Sequence, residues 1–218
     1  MEIQGSVALV TGANRGLGKA YAEALVAAGA KVYGGARNPD SITSDGVIPV
    51  RLDVTDAEQV AKAAAELTDV NLVVNNAGVG VLATPLTANI DDARQIMEVN
   101  YLGLLRVSQA FGPQLAGGAL VNVLSVASFR PQLTLSTYSA TKAAAWSITT
   151  ALREELVDTL VVGVHAGFID TDLAAAVPPE HKIPPAQVVD ATLEALRAGE
   201  TEVLADDISR LAKAALVA

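Results

Sequence analysis

The sequence predicts an α/β fold, a doubly wound parallel sheet of seven strands with helices on both faces. Three features carry that expectation. Short runs rich in Val, Leu and Ile recur between longer Ala-rich segments of helical periodicity, the rhythm of strand–helix–strand units feeding a buried sheet. A glycine-rich turn follows directly on the first of these runs. No internal repeat, low-complexity tract or linker divides the 218 residues, so one domain covering 1–218 is expected.

Strands are expected at 7–10, 31–35, 47–52, 72–75, 120–124, 161–165 and 202–204. Helices are expected at 16–28, 57–67, 90–111, 137–157, 186–198 and 207–216. Several open on Asp, Thr or Asn, whose side-chain oxygens accept the unpaired amides of a first turn. The closely spaced Pro178, Pro179, Pro184 and Pro185 mark a surface loop.

Composition removes several function classes. With 51% hydrophobic and 18% charged residues the chain has the means to fold. No stretch provides the ~18 uninterrupted apolar residues of a membrane span, and the segment from Met1 to Gly5 is not a charged leader before a hydrophobic core. A cytoplasmic protein with no membrane partner is the expectation. The absence of cysteine excludes thiolate metal sites, and His165 and His181 alone are too few for a usual zinc site, so no metal is expected. A net charge of −9 without a basic run argues against nucleic acid.

The strongest local signal is the segment from Thr11 to Gly18, Thr-Gly-Ala-Asn-Arg-Gly-Leu-Gly, between the first strand and first helix. Gly12, Gly16 and Gly18 permit a tight turn and a close backbone approach to a pyrophosphate, favoured by free amides and the positive helix end. A strand-to-helix turn without a ligand is the plainer alternative. The Gly-x-x-x-Gly-x-Gly spacing resembles the loop of the short-chain dehydrogenase/reductase family, which implies a Rossmann-type sheet and a nicotinamide cofactor contacted by Gly12, Asn14, Arg15, Gly16, Leu17 and Gly18.

The second strand ends at Arg37, where NAD-preferring enzymes of this type carry an acidic residue. An arginine fork suits a 2′-phosphate. The resemblance assigns Arg15 and Arg37 to NADP(H) preference, with NAD(H) as the weaker cofactor; ordinary exposed cations are the alternative reading. Asp53 and Val54 match the family's adenine-contacting pair, although Asp53 also sits where a helix cap is expected, close to Asp56. Asn75-Asn76-Ala77-Gly78 resembles the family element beside the cofactor ribose, which brings in Asn76, Ala77 and Gly78.

Tyr138 and Lys142 are four apart and share a helix face. A phenol keeps its proton to pH ~10, so a neighbouring ammonium would stabilise the phenolate and bring it into use near neutrality. Ser125 ends a strand, at the edge of the sheet where open α/β folds bind ligands. Its spacing matches the family's catalytic serine, and Asn100 matches the helix asparagine that holds a water in a proton relay. By resemblance, Asn100, Ser125, Tyr138 and Lys142 form the catalytic set, and Tyr138 and Lys142 also touch the cofactor.

The chain departs from the family after the sixth strand, where Ala166 replaces the usual proline, so a looser turn is expected. Gly167, Ile169 and Thr171 still align with cofactor-contacting positions, and His165 is read as a strand residue. By resemblance Gly80, Val126, Leu133 and Phe168 wall a fairly open, apolar pocket, suited to ketones or aldehydes and not to charged sugars. The family's glycine-rich tail is replaced by a final helix. The helices around Asn100 and Tyr138 are expected to pair in a homodimer or homotetramer. The resulting expectation is an NADPH-dependent reductase of a small carbonyl, reversible toward the alcohol. The alternatives are a catalytically silent NADP(H)-binding sensor or scaffold and a nucleotide-sugar isomerase or dehydratase, the last disfavoured by the missing substrate domain.

Overall fold

The computed structural model describes residues 1–216, and the last two residues of the expected 1–218 span lie outside the described residues. Among the described residues nine strands form, β1 (Val7–Thr11), β2 (Lys31–Ala36), β3 (Val47–Arg51), β4 (Leu72–Asn75), β5 (Ala119–Val123), β6 (Leu160–His165), β7 (Phe168–Ile169), β8 (Lys182–Ile183) and β9 (Glu202–Leu204). Seven make one parallel sheet in the order β3-β2-β1-β4-β5-β6-β9. All seven match the runs read from sequence, because residues packed on both faces must be apolar throughout; every residue of β4 is buried.

The chain starts in mid-sheet, winds outward to β3, and returns across β1 to β4 before winding to the other edge. That reversal opens a crevice at the carboxyl ends of β1 and β4. Helices α1 (Gly16–Ala27), α2 (Ala57–Glu66), α3 (Ile90–Met97), α4 (Leu104–Phe111), α5 (Ser136–Glu155), α6 (Pro185–Ala198) and α7 (Asp207–Ala214) follow. On one face Tyr21, Leu25, Val188, Leu193 and Leu196 pack against Val10, Val32, Val74 and Val121. On the other, Val60, Val107, Phe111 and Leu152 pack against Leu9, Val73, Leu120 and Val161. Asp56, Asn89 and Asp206 cap α2, α3 and α7 with side-chain oxygens, as acceptors for first-turn amides.

Two expectations need correction. The single helix expected over 90–111 is interrupted by a π-helical turn, Glu98–Gly103. Its widening follows from two contacts: the Asn100 amide is bonded to the Val79 backbone, and Gly103 lies where a Cβ would stand 2.7 Å from Val54 Cγ2. The proline-rich loop is also more ordered than a surface loop, since β7 pairs with β8 and Lys182 Nζ bonds Asp170 Oδ1 at 2.7 Å. Two-residue strands are too short to leave a periodic signal.

At the entry to α1, a Cβ on Gly18 would lie 2.2 Å from the Gly12 carbonyl oxygen and 2.4 Å from Asn76 Nδ2. Gly18→Ala is therefore expected to destabilise by about 1–3 kcal/mol despite alanine's better helix propensity, lowering Tm by roughly 2–12 °C in thermal denaturation. An unchanged Tm would mean that the corner has room to spare.

Candidate active site

Glycine conformations set the floor of the crevice. Gly12 and Gly16 have φ of 68° and 53°, and the Gly12 and Ala13 amides donate to the Gly35 carbonyl at 2.8 and 3.1 Å. Asn76 fastens the loop from the other side: its Nδ2 donates to the Thr11 carbonyl at 2.9 Å, and the Asn76 and Ala77 amides both donate to Thr11 Oγ1 at 3.0 Å. Helix α1 has Arg15 in extended conformation at its cap, no side-chain cap and no acidic residue in its first turn. Among the described residues the amides from Asn14 to Gly18 find no protein acceptor. Such an end attracts an anion.

The opposite wall is Thr171, whose Cγ2 would lie 3.2 Å from a Cβ on Gly16. Arg15 reaches across to the same segment, with Nη1 3.2 Å from Asp172 Oδ2. Both side chains are mostly exposed, so this pair contributes at most about 1 kcal/mol and yields easily to a stronger anion. Arg37 stands exposed just beyond β2 and pairs with no carboxylate among the described residues. Arg51 Nη1 donates to the Arg37 carbonyl at 3.4 Å, which brings a second arginine to that corner. Sequence reading passed over Arg51 because only strand pairing aligns it with Ala36. Asp53 does not cap α2, a task held by Asp56; its Oδ1 accepts from the Thr55 amide and hydroxyl at 2.9 and 2.7 Å. Val54 is buried beside Gly103.

Asn100, Ser125, Tyr138 and Lys142 are brought to one place. Ser125 follows β5 and caps the short turn Val126–Ser128, with Oγ accepting from the Ala127 amide at 3.1 Å. Lys142 Nζ donates to the Val123 carbonyl at 2.7 Å and lies 5.8 Å from the Tyr138 ring centroid. Asn100 Oδ1 accepts from the Val79 amide at 2.9 Å, while its Nδ2 donates to the Val79 carbonyl at 2.9 Å and Thr141 Oγ1 at 3.1 Å. A Cβ on Gly78 would approach Asn100 Oδ1 to 3.5 Å and Lys142 Nζ to 3.9 Å; one on Gly80 would approach Tyr138 Cδ2 to 3.4 Å. The segment 78–80 thus lies against three of the four side chains.

Burial dominates the electrostatics. It pushes the Tyr138 phenol up to about 12, opposed in part by the Ser125 hydroxyl, and pushes the Lys142 ammonium down to about 8. Tyr138 as a whole residue is half-buried. The sequence led to the expectation that Lys142 lowers the phenol. Among protein groups alone the phenol's shift is set by burial and the Ser125 hydroxyl, while the Lys142 ammonium sits on the Val123 carbonyl, 5.8 Å from the Tyr138 ring centroid.

The turn with Ala166 in place of proline is held by bonds. Asp206 Oδ2 accepts from the Gly167 amide at 2.7 Å, the Ala166 carbonyl accepts from Val126 N at 2.9 Å, and the His165 carbonyl accepts from Ala205 N at 2.9 Å. Asp206 was missed; Asp-x-x-Ser at 206–209 announces a helix cap but not that its second oxygen crosses to Gly167. Ile169 and Phe168 lie half-buried in β7. Of the expected pocket walls, Gly80 sits against the Tyr138 ring and Leu133 is 70% exposed, whereas Val126 is packed away with Phe129 and Ala212. Leu173, not anticipated, would lie 3.5 Å from a Cβ on Gly80.

Comparison with known proteins agrees with this geometry. The sequence pattern of short chain dehydrogenases matches residues 6–182. The chain is 33% identical over 208 residues to an uncharacterized oxidoreductase of Staphylococcus aureus, covering 87% of this chain and 90% of that one. It is 33% identical over 200 residues to a 3-oxoacyl-acyl-carrier-protein reductase of Vibrio cholerae, covering 84% and 81%. A short chain dehydrogenase from Burkholderia cenocepacia, solved in complex with NADP, superposes with a TM-score of 0.96 at 41% identity over 100% of this chain and 95% of that one. An alcohol dehydrogenase from Thermococcus sibiricus complexed with 5-hydroxy-NADP gives 0.86 at 27% identity, covering 92% and 96%. Over most of its length, then, this chain belongs to the short-chain dehydrogenase/reductase family and is an NAD(P)-dependent oxidoreductase.

Proposed function

We propose that the chain is an NADPH-preferring reductase of ketones and aldehydes, reversible toward the alcohols, with one domain of 1–218 carrying both cofactor and substrate. The observation that carries the reading is the meeting of Tyr138, Lys142 and Asn100 at the Gly78–Gly80 segment, with the Ser125 hydroxyl beside the phenol. When bound, the reduced nicotinamide supplies hydride to the carbonyl carbon.

The residues present suit a dinucleotide. The positive φ of Gly12 and Gly16 and the unclaimed amides of the first turn of α1 form a cradle for a pyrophosphate, with Asn14, Arg15, Leu17 and Gly18 at its edge. Arg37 and Arg15 would take the 2′-phosphate, Arg15 exchanging its weak bond to Asp172. Asp53 and Val54 would face the adenine, Asn76, Ala77 and Gly78 the ribose, and Gly167, Ile169 and Thr171 the nicotinamide end. That the Burkholderia relative was solved with NADP supports this choice.

Ser125 and Tyr138 hydrogen-bond the substrate oxygen, and Tyr138 donates its proton as charge develops there. A phenol held near 12 stays protonated at neutral pH, which favours reduction; alcohol oxidation needs the phenolate. Lys142 binds the ribose hydroxyls and stabilises the anion left on Tyr138, and Asn100 fixes the Val79 backbone beside them and holds the relay water. Exposed Leu133 and Leu173 give the entrance an apolar rim, fitting an apolar carbonyl compound. The assembly is a homodimer or homotetramer through α3, α4 and α5; a monomer mass by light scattering would overturn that part.

Following the absorbance of the reduced nicotinamide across a carbonyl panel tests the reading: Tyr138→Phe is expected to lose about 10²–10⁴-fold in kcat while retaining NADPH affinity. Tight NADPH binding with no turnover by the parent on any carbonyl would instead point to a sensor or scaffold. In the parent, alcohol oxidation should climb as pH rises from neutrality while reduction does not. Arg37→Asp should raise the KM for NADPH about tenfold or more relative to that for NADH, and equal changes for the two cofactors would remove Arg37 from the 2′-phosphate.

Lys142 also gives a stability test with a defined sign. Its folded value of about 8 lies below the ordinary 10.5, so between these values the native state has shed a proton that the unfolded chain still holds. The burial penalty of the ammonium is present below pH 8 and relieved as pH rises through this window. Lys142→Met should therefore be inactive yet more stable than the parent at neutral pH, with an advantage that shrinks between pH 8 and 10.5 in pH-dependent denaturation. An advantage constant with pH would contradict the burial argument.

A further inference from the structure

His165 is a buried imidazole that the reaction described above does not use. It ends β6 and is 0% exposed. Its Nδ1 lies 3.1 Å from the Ser125 carbonyl oxygen, and its Nε2 is buried without a hydrogen-bond partner. The backbone on either side is pinned to the serine strand, with Leu124 N donating to the Val164 carbonyl at 2.8 Å and Val126 N to the Ala166 carbonyl at 2.9 Å. Ser125 Oγ itself points to the Ala166 carbonyl at 3.4 Å. The imidazole therefore bridges the one peptide of that stretch that carries the reactive hydroxyl.

A carbonyl oxygen can only accept, so the contact is a hydrogen bond only if the proton sits on Nδ1. The opposite tautomer would set two lone pairs against each other at 3.1 Å. Placing the proton on Nδ1 leaves Nε2 bare, which agrees with its lack of a partner. Three charged groups lie near that nitrogen: Glu202 Oε1 at 3.8 Å, Lys213 bonded to the same carboxylate at 2.6 Å, and the Arg153 guanidinium, whose Nη2 would stand 3.2 Å from a Cβ on Gly163 that would itself be 3.7 Å from His165 Nε2. Because Lys213 already neutralises Glu202, the imidazole gains little from becoming charged, and burial holds its pKa down at about 4. The ring is further fixed by Phe129, 4.9 Å away between centroids, and by Trp146 at 6.0 Å edge-on.

We propose that His165 is a positioning residue for Ser125: its Nδ1–H holds the Ser125 carbonyl and so fixes the direction of the Ser125 hydroxyl. This rests on the role given to Ser125 above. The Ser125 carbonyl also accepts from Ser128 N at 3.0 Å and Ser128 Oγ at 2.6 Å, bonds that close the turn within itself. The imidazole joins the carbonyl of that turn to the end of β6, beside the longer contact of Ser125 Oγ with the Ala166 carbonyl.

The side-chain amide of Asn reproduces a donor at Nδ1, and that of Gln a donor at Nε2. His165→Leu is expected to lower kcat on the order of 10- to 100-fold with the NADPH dissociation constant changed less than about threefold. His165→Asn should recover most of that loss and His165→Gln should not. Equal kcat for the parent and His165→Leu, an Asn variant no better than the Leu one, or NADPH affinity falling in step with kcat would each overturn the proposal. A second measurement needs no variant of this residue and no turnover. The chain has two histidines, so long-range nitrogen–proton correlation spectra of the labelled protein, with His181→Gln for assignment, read the tautomer directly. A neutral Nδ1–H form at neutral pH is expected; an Nε2–H form refutes the inference. A parent without turnover, alongside an Nδ1–H signal, would count against the reductase reading and leave the bond standing.

Discussion

The carboxyl edge of this sheet depends on the hydrogen bonds by which Asn76 and the Ala77 amide close the end of β4 onto Thr11. At a topological switch point neighbouring loops leave in opposite directions, and backbone groups that would otherwise continue the ladder lose their partners. Asn76 supplies a donor to the Thr11 carbonyl, and Thr11 Oγ1 accepts two amides in return. With those groups satisfied inside the protein, the first-turn amides of α1 are left to face the crevice. The arrangement is tight enough that only glycine fits at position 18.

Beneath this edge the central sheet carries a polar thread through an apolar core. Asn75 Nδ2 donates to Ser108 Oγ at 3.2 Å and Asn122 Oδ1 at 2.9 Å, and Asn122 Nδ2 donates to Thr149 Oγ1 at 2.9 Å. These bonds fix α4 and α5 against the strands between them, and α5 carries Tyr138 and Lys142. Each such bond contributes only about 1 kcal/mol net, but removing one partner strands a buried polar group at about 1–3 kcal/mol. Register follows from that asymmetry. The burial of Lys142 runs the other way: an ammonium held at the end of β5 lowers stability.

Helix α7 and β9 take part in the site although they lie outside the segment matched to the family. Asp206 caps the helix with one oxygen and holds the Gly167 turn with the other. Where proline would restrict the turn covalently, this chain uses a charge-assisted hydrogen bond and two backbone bonds. The turn that leads to Thr171 is thereby fixed by residues far along the chain.

The strands, the helix caps and the glycine loop were legible in the sequence, because each follows from local rules: an apolar run buried on both faces, an Asp or Asn before a first turn, a glycine where φ is positive. Tyr138 with Lys142 was legible too, since four residues always bring two side chains to one helix face. Tertiary packing alone decided the rest. The π-helical turn at Glu98–Gly103 exists because Asn100 bonds Val79 across a loop, and the pairing of β7 with β8 joins residues too few to leave a pattern. The upward shift of Tyr138, the bond from Lys142 to Val123, the packing of Val126 under α7 and the contact of His165 with Ser125 all join positions distant in sequence. Spacing along a chain fixes which side chains share an element and a face; which groups lose water together, and which partner satisfies each, is settled only when the elements pack.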